Sequence, residues 1–377
     1  MISTVLTAFL LLFALYYVVF FINVQRGLNN LKRKAHWEGS LPSVSVVVAA
    51  RNEENTIEQC VLEILNQQYP PDLFELIVID DNSTDRTSTI LSTIRSMDAR
   101  LTVVSVGHDG TGVPGGKPSA IAAGVKTARG EIILTTDADC IVPSTWIRTM
   151  IGYLPAGAAF AAGPVRERPT HTMLSHLSQL EFLGVISTSA GLIGNRRPII
   201  CNGANLAYRK EAFFAAQGFG NTGNWCDDET LMHRIYSRHL GSVCFAASAE
   251  AVVETASADS LSSFWRQRLR WSAKGNHYER VSVLMRVIGL YFFFLFLLAA
   301  FIDAIFHQQV ILWFSIAFFA KLVVDYSTLS KGAKLFQDHV QFLAFLVAEL
   351  LQIPYVVLTA ALGQFISIDW KGRAISP

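Results

Sequence analysis

Apolar positions along the chain follow two patterns. Short unbroken runs of β-branched and aliphatic residues lie at residues 44–50, 76–79 and 132–135, each bounded by polar or turn residues. Runs of this kind suit central strands of a parallel sheet covered on both faces. Between the first two, residues 54–68 carry Ile57, Val61, Ile64 and Leu65 at helical spacing, and residues 87–97 and 119–126 are further helix candidates. Strand and helix alternate, which predicts a doubly wound α/β layer.

The second pattern is long and nearly free of charge. Residues 2–22 contain no charged side chain, and such a helix can cross a hydrocarbon layer of roughly 30 Å. No basic segment precedes this run and no small-residue cleavage site follows it, so it reads as a signal anchor. Arg26, Lys32, Arg33 and Lys34 come next and place the following segment in the cytosol. Residues 283–302 and 310–324 are two more candidate spans, with Lys321 and Asp325 weakening the end of the second. The link 303–309 has no Lys or Arg, whereas 330–339 holds Lys331 and Lys334, as outer and inner loops should. Residues 340–366, with Glu349 and Pro354, allow one further crossing or a hairpin bent at Pro354. The expected organisation is an anchor at 1–24, a cytosolic domain at 35–280, a membrane region at 283–368 and a tail at 369–377.

Composition agrees with this division. Apolar residues make up 51% of the chain and charged residues 16%, below the roughly 25% charge of soluble domains. The net charge of +1 gives no general attraction for nucleic acid, which is not expected as a partner. Cys60, Cys140, Cys201, Cys226 and Cys244 are scattered without CxxC spacing, so they read as reduced thiols.

In doubly wound sheets the ligand sits beyond the carboxyl ends of the strands, and polar clusters stand there. Arg51-Asn52-Glu53-Glu54 follows the first strand, the segment 80–85 the second, and Asp137-Ala138-Asp139 the third. Asp137 and Asp139 flank one residue and can offer oxygens to Mg²⁺ or Mn²⁺, with substrate phosphates completing the shell. Such an ion would neutralise charge on a departing diphosphate. At an arbitrary position two acids this close form a solvated turn; their place after a buried strand gives them weight. Asp80 and Asp81 can help cap the helix at 87–97, or one of them can bond a base or ribose. Gly115-Gly116-Lys117 opens a helix whose free N–H groups and lysine can hold an anion. Neither a P-loop nor GxGxxG is present.

Asp227-Asp228-Glu229 stands at a predicted helix start beside Trp225. These acids can complement the helix dipole, or one can serve as a general base toward an attacking hydroxyl. Just before the second apolar region comes Gln-Arg-Leu-Arg-Trp at 267–271. For Arg266, Arg268 and Lys274 the plain reading is a membrane-surface helix. Gln267, Arg270 and Trp271 share one helical face and can offer amide, guanidinium and indole to a sugar and diphosphate.

Taken in order, these motifs resemble the membrane-associated family 2 glycosyltransferases, a group that includes ceramide glucosyltransferase-like enzymes and, more distantly, cellulose, chitin and hyaluronan synthases. The resemblance covers roughly residues 40–275. VSVVVAARNEE resembles the opening strand and nucleotide-binding turn, with Arg51 and Glu53 on the donor side. IVIDDNSTDRT resembles the first-aspartate motif, and GGKPSAIAAG the GK loop, with Ala122 or Ala123 where Asn is usual. TTDADC matches the DxD, and CNGANLAYRK resembles the acceptor-side loop, with Asn205. CDDETLMHRI resembles the ED motif, with Asp228 at the base position and Asp227 where Glu is common. QRLRW satisfies Q-x-x-R-W, and WKGR at 370–373 is similar to a cytosolic tail of some members, which favours the hairpin.

The resemblance implies a GT-A fold of the α/β class, inverting single displacement, a UDP- or GDP-sugar donor and a divalent cation. On that reading Asp81, with Asp80, holds the nucleoside, and Asp139 and Asp137 hold Mg²⁺ or Mn²⁺. Lys117 and Arg270 meet the leaving diphosphate, and Asp228 is the base. Gln267, Trp271, Asn205, Trp225 and Asp227 shape the acceptor end. The expected acceptor is a lipid or lipid-linked sugar, and the expected location is a multi-pass cell-membrane protein with a cytosolic catalytic domain. Two rivals are a processive polysaccharide synthase, which needs a polar tunnel through the membrane, and an inactive membrane scaffold.

Overall fold

The computed structural model describes residues 2–32, 36–106, 116–170, 172–220, 228–258, 260–273, 281–365, 368–370 and 373–375. Helix α1 (Ile2–Asn30) leads into β1 (Val44–Ala50), α2 (Ile57–Leu65), β2 (Phe74–Asp80), α3 (Thr87–Met97), β3 (Leu101–Ser105), α4 (Lys117–Thr127), β4 (Ile132–Asp137), α5 (Trp146–Gly152) and β5 (Ala158–Ala162). The second half of the sheet domain holds β6 (Val165–Glu167), α6 (Met173–Gly194), β7 (Leu206–Arg209), α7 (Lys210–Ala215), α8 (Asp228–Ser237), β8 (Ser242–Phe245), β9 (Val253–Thr255) and α9 (Leu261–Ala273). Then come α10 (Val281–Phe306), α11 (Gln308–Phe336), α12 (Phe342–Leu362) and the pair β10 (Ile368–Trp370) and β11 (Arg373–Ile375).

Seven strands form one sheet in the order β3-β2-β1-β4-β7-β5-β8, and β6 pairs with β9 in a separate ribbon. The predicted buried runs are its centre. Val46, Val47 and Val48 have no exposed surface, and all seven residues of β2 are buried. Burying each such side chain contributes about 1.5–3 kcal/mol. β1 runs parallel to β2 and β4, in a register that sets Ala50 beside Asp80 and Ala49 beside Asp137. Three strand tips therefore end at one rim. β7 runs antiparallel to both β4 and β5, so the residues that enter it reach that same rim.

Among the described residues, α1, α6, α10, α11 and α12 are long and apolar enough to cross a membrane by length and composition. α6 instead packs into the core of the sheet domain through residues such as Phe182, Ile186 and Ala190. α1 crosses α6 at small residues: a Cβ on Gly191 would run into the Val24 carbonyl, and one on Gly27 into the Gly191 carbonyl. Side-chain-free contacts of this sort let two helix backbones approach closely.

The C-terminal helices depart from the expected limits. α11 continues twelve residues past 324, because its last turns pack on the sheet domain, with Phe336 5.9 Å from Phe245. Lys331 and Lys334 accordingly lie on a helix, not in a loop. α12 runs unbroken through Pro354, so the hairpin bent there is corrected. Proline removes one backbone donor, and the rest of the helix ladder tolerates that loss. Both ends of α12 approach the sheet domain. Phe345 belongs to the same core cluster as Phe245, and Ser272 of α9 donates to the Thr359 carbonyl at 2.9 Å.

Where α1, α11 and α12 meet, Lys321 is completely buried. Its ammonium bonds to Asp325 at 2.9 Å, to Gln352 at 2.7 Å and to Glu349. Tyr17 of α1 donates to the same Asp325 carboxylate at 2.8 Å. Mutual pairing is what lets such groups sit among apolar helices.

Candidate active site

The first two strand tips are stitched together before any ligand arrives. Asn52 Oδ1 accepts from Thr84 N at 2.8 Å, and Asn52 N donates to Ser83 Oγ at 3.1 Å. Asn52 and Asn82 both take left-handed backbone, with φ of 53° and 56°. Asparagine visits that region more readily than most residues. Arg51 donates to the Asp81 carbonyl at 2.9 Å, and Glu53 Oε2 accepts from the Thr56 hydroxyl at 3.2 Å. Asp80 is 4% exposed; its carboxylate accepts from Ser83 N at 3.1 Å and from the Ser88 hydroxyl. Asp80 therefore ties its own turn, and its expected donor contact is corrected. Asp81, equally buried at 4% exposed, stands at the tip beside it.

At the third tip, Ala138 is buried while Asp137 and Asp139 are partly exposed, so both carboxylates face outward from one turn. Lys117, the first residue of α4, pairs with Asp137 Oδ1 at 2.5 Å. Asp139 accepts from Thr255 Oγ1 of β9 at 3.3 Å. The field here is negative. Burial pushes the Cys60 and Cys140 thiols above their ordinary value, and the nearby Asp139 and Asp137 carboxylates push them further. Cys60, Cys140, Cys201 and Cys244 carry free thiols.

The fourth component arrives through β7. Asp228 opens α8 and is 7% exposed. Its Oδ2 accepts from Gly203 N at 2.9 Å, and its Oδ1 accepts from Glu229 N at 2.8 Å. Gly203 is also the meeting point with α4: a Cβ placed there would lie 3.1 Å from Lys117 Nζ and 3.4 Å from Asp228 Oδ2. Asp137, Lys117, Gly203 and Asp228 thus form one continuous group, although more than ninety positions separate the two acids. A hard divalent cation fits this donor set. Asp137 and Asp139 can offer carboxylate oxygens from one turn, phosphate oxygens can complete the shell, and Lys117, now paired with Asp137, can turn to those phosphates. Among the described residues no group of three or more His, Cys, Asp or Glu side chains is arranged to hold a metal by itself.

Other expected residues fall differently. Asn205 is fully buried; its amide donates to the Pro164 and Ala251 carbonyls at 2.8 and 2.7 Å and accepts from Trp146 at 2.9 Å. Its polar capacity is spent in the core, so the acceptor assignment is corrected. Gln267, Arg270 and Trp271 lie on α9 and are partly exposed. Arg268, expected on the membrane surface, is instead 2% exposed and paired with Glu181 at 2.8 Å. Trp225, Asp227, Gly115, Lys274 and Cys226 lie outside the described residues, as do positions 371–372 of the WKGR tail. Sequence reasoning missed Gly203 and Thr255. A glycine inside CNGAN hints at close backbone approach, whereas nothing in the sequence marks Thr255.

A family model described as Glycosyl transferase family 2 matches residues 45–214, the stretch from β1 to α7. Over that stretch the chain is similar to glycosyl transferase family 2. A beta-monoglucosyldiacylglycerol synthase of Synechocystis sp. is 30% identical over 244 residues, covering 63% of this chain and 48% of that protein. The probable glycosyltransferase YdaM of Bacillus subtilis is 28% identical over 301 residues, 75% of this chain and 67% of its own length. The chain thus spans about half the length of the first of these relatives. Among solved structures, the mannosyltransferase PcManGT from Pyrobaculum calidifontis, in complex with GDP-Man and Mn²⁺, matches with a TM-score of 0.63. The match covers 96% of this chain and 97% of that one at 18% identity. At that identity the likeness is one of fold, and the fold is GT-A.

Proposed function

We propose that the protein is an inverting glycosyltransferase that moves a sugar from a UDP- or GDP-sugar to a lipid or lipid-linked acceptor at the membrane surface. The convergence of Asp137, Lys117 and Asp228 around Gly203 carries this reading. Asp81 and the stitched tips bearing Arg51 and Glu53 hold the nucleoside side of the donor. Asp139 and Asp137 would hold Mg²⁺ or Mn²⁺, which when bound neutralises charge on the departing diphosphate. Lys117 stands where the same charge builds and stabilises it electrostatically. Asp228, held by two backbone N–H groups, takes the proton of the attacking acceptor hydroxyl. Attack from the face opposite the leaving group inverts the anomeric centre. Arg270 of α9 adds positive charge toward the leaving diphosphate, and Gln267 and Trp271 of the same helix close the acceptor side.

The lipid acceptor is supported by position: α9 is followed directly by the apolar helices α10 to α12. The name of the Synechocystis relative supports a diacylglycerol-like acceptor. Arg26 in the last turns of α1 and Lys32 just after it support a multi-pass cell-membrane protein with its catalytic domain in the cytosol. Single transfer is favoured over polymer export. The charged groups inside the helix bundle, Lys321, Asp325 and Glu349, are buried and bonded to one another, which closes a channel instead of lining one.

The test is transfer by the purified full chain, with Mn²⁺, from each UDP- and GDP-sugar to lipid extracts. Asp228→Asn is expected to lower the rate by about 10²–10⁴-fold and to leave donor binding intact. Near-normal turnover by that variant would remove the base assignment, and transfer from no donor would remove the whole reading.

A further inference from the structure

The catalytic half and the apolar-helix half of the chain meet at a buried charge cluster that no motif marks. At its centre is Arg268 of α9, one residue from Gln267. Its Nε donates to Glu181 Oε2 at 2.8 Å, and its Nη2 donates to Ser178 Oγ at 3.0 Å, both on α6. The same Nη2 lies 3.8 Å from Glu167 of β6, which is 1% exposed. The guanidinium also sits over the rings of Phe264 and Trp271, at 4.3 and 4.5 Å, and donates to the Gln267 side-chain oxygen. Two of the three residues that share one face of α9, Gln267 and Trp271, are therefore held directly by Arg268.

The cluster extends in both directions. Tyr355 of α12 donates to the second Glu181 oxygen at 2.8 Å, and its ring packs 5.9 Å from those of Phe264 and Trp265. α12 is itself pinned from its other side, where Glu349 and Gln352 bond Lys321 of α11. Toward the rim, Glu167 pairs in register with Thr255, which donates to Asp139. Parallel partners project their side chains to the same face of a ribbon, so Glu167 and Thr255 stand side by side. One guanidinium is thus the common partner of β6, α6 and α9, and Glu181 passes its hold on to α12. Arginine suits the place, because its planar fork satisfies several acceptors in fixed directions where an ammonium cannot.

We propose that Arg268 is a positioning residue that sets the Gln267–Trp271 face of α9, and that the Tyr355 hydroxyl makes this setting depend on the seating of α12. The inference rests on the glycosyltransfer reading of the site and deepens it. The acceptor face becomes complete only when the helix bundle is packed, which ties turnover to the membrane-embedded state. The full chain in nanodiscs of phosphatidylethanolamine and phosphatidylglycerol tests it with two variants, Arg268→Lys and Tyr355→Phe. Hydrogen exchange over residues 261–273 is read first, with residues 44–80 as the internal control. Both variants are expected to speed exchange in the former and leave the latter unchanged.

Transfer kinetics are read second. Arg268→Lys is expected to lower kcat about tenfold, as a small misplacement of catalytic groups does, with the donor KM unchanged. Tyr355→Phe, which removes one hydrogen bond, is expected to lower kcat by about threefold. Unchanged exchange in α9 in both variants overturns the proposal, and so does raised exchange with undiminished kcat. If Arg268→Lys does not fold, Tyr355→Phe carries the test alone. A wild-type protein that transfers no sugar sinks the functional reading instead, and the exchange measurement still decides the positioning role.

Discussion

Gly203→Ala should separate the chemistry of the site from the stability of the fold. Gly203 is outside the left-handed region, so its backbone accepts alanine without strain. The new methyl carbon would stand 3.1 Å from Lys117 Nζ, whereas non-bonded heavy atoms prefer about 3.5–4.0 Å. The lysine tip is the flexible partner and must retreat by about half an ångström, out of its 2.5 Å pairing with Asp137. A displacement of about 1 Å in a reacting constellation can cost about 10²-fold, so half of that corresponds to about tenfold, or about 1.4 kcal/mol of barrier. The fold gains instead, because replacing glycine at a compatible position restricts the unfolded chain by about 0.4–1 kcal/mol. Initial-rate kinetics and a thermal melt on the same preparation give both numbers. We expect kcat to fall about tenfold with Tm unchanged or slightly raised. Full activity at native Tm would show that the reaction does not occur where Lys117 and Asp228 meet. A collapse of Tm would put the damage in the fold and refute the reasoning equally.

Asp139→Ala should abolish Mn²⁺-dependent binding of UDP or GDP in isothermal titration, and an unchanged isotherm would remove Asp139 from the metal site. Lys321→Met leaves Asp325 and Glu349 facing one another without their cation, and should cost about 3–5 kcal/mol, read as a lowered Tm in detergent; an unaltered melt would mean that the cluster does not hold the bundle. Glu75 gives a pH signature. Burial raises its carboxyl, but hydrogen bonds from Arg129 N, the Ser45 hydroxyl and the Arg129 guanidinium outweigh that and hold it below the usual carboxylate range. Its stabilising effect is therefore complete above the unfolded pKa of about 4.3 and is lost as pH falls through the folded value. Glu75→Gln should cost about 2 kcal/mol at pH 7 and flatten the acid limb of a Tm-against-pH curve, whereas parallel curves for the two proteins would contradict the assignment.

The parallel half of the sheet was legible because burial on both faces demands unbroken aliphatic runs, and β1, β2 and β4 have them. Polar residues at their tips then located the rim. The other half was not legible for local reasons. β5 reads AAFAA, and alanine carries no strand signal, so only its neighbours β7 and β8 make it a strand. Arg268 sits in a basic stretch next to an apolar region, which locally looks like a membrane-surface helix. Its burial depends on Glu167 and Glu181, each more than eighty positions away. Asn205 shows the opposite failure: a polar residue in a functional loop suggested ligand contact, whereas three core groups had already claimed its amide. Pro354 suggested a bend because a lone proline looks like a break, yet helix contacts on both sides carry α12 past it.

The reversed direction of β7 has an evolutionary consequence. In an all-parallel sheet only segments that leave strands can reach the binding edge, so each has to continue into a helix and its length is constrained. Here the segment between Asn195 and Asn205 arrives at that edge from behind, on its way into a strand whose pairing is already fixed by β4 and β5. Its length is therefore not set by strand register, although Gly203 at its end is held against Asp228 and Lys117. The connection into β7 can thus differ in length with less effect on the sheet than the turns that leave the parallel tips, each of which leads into a helix.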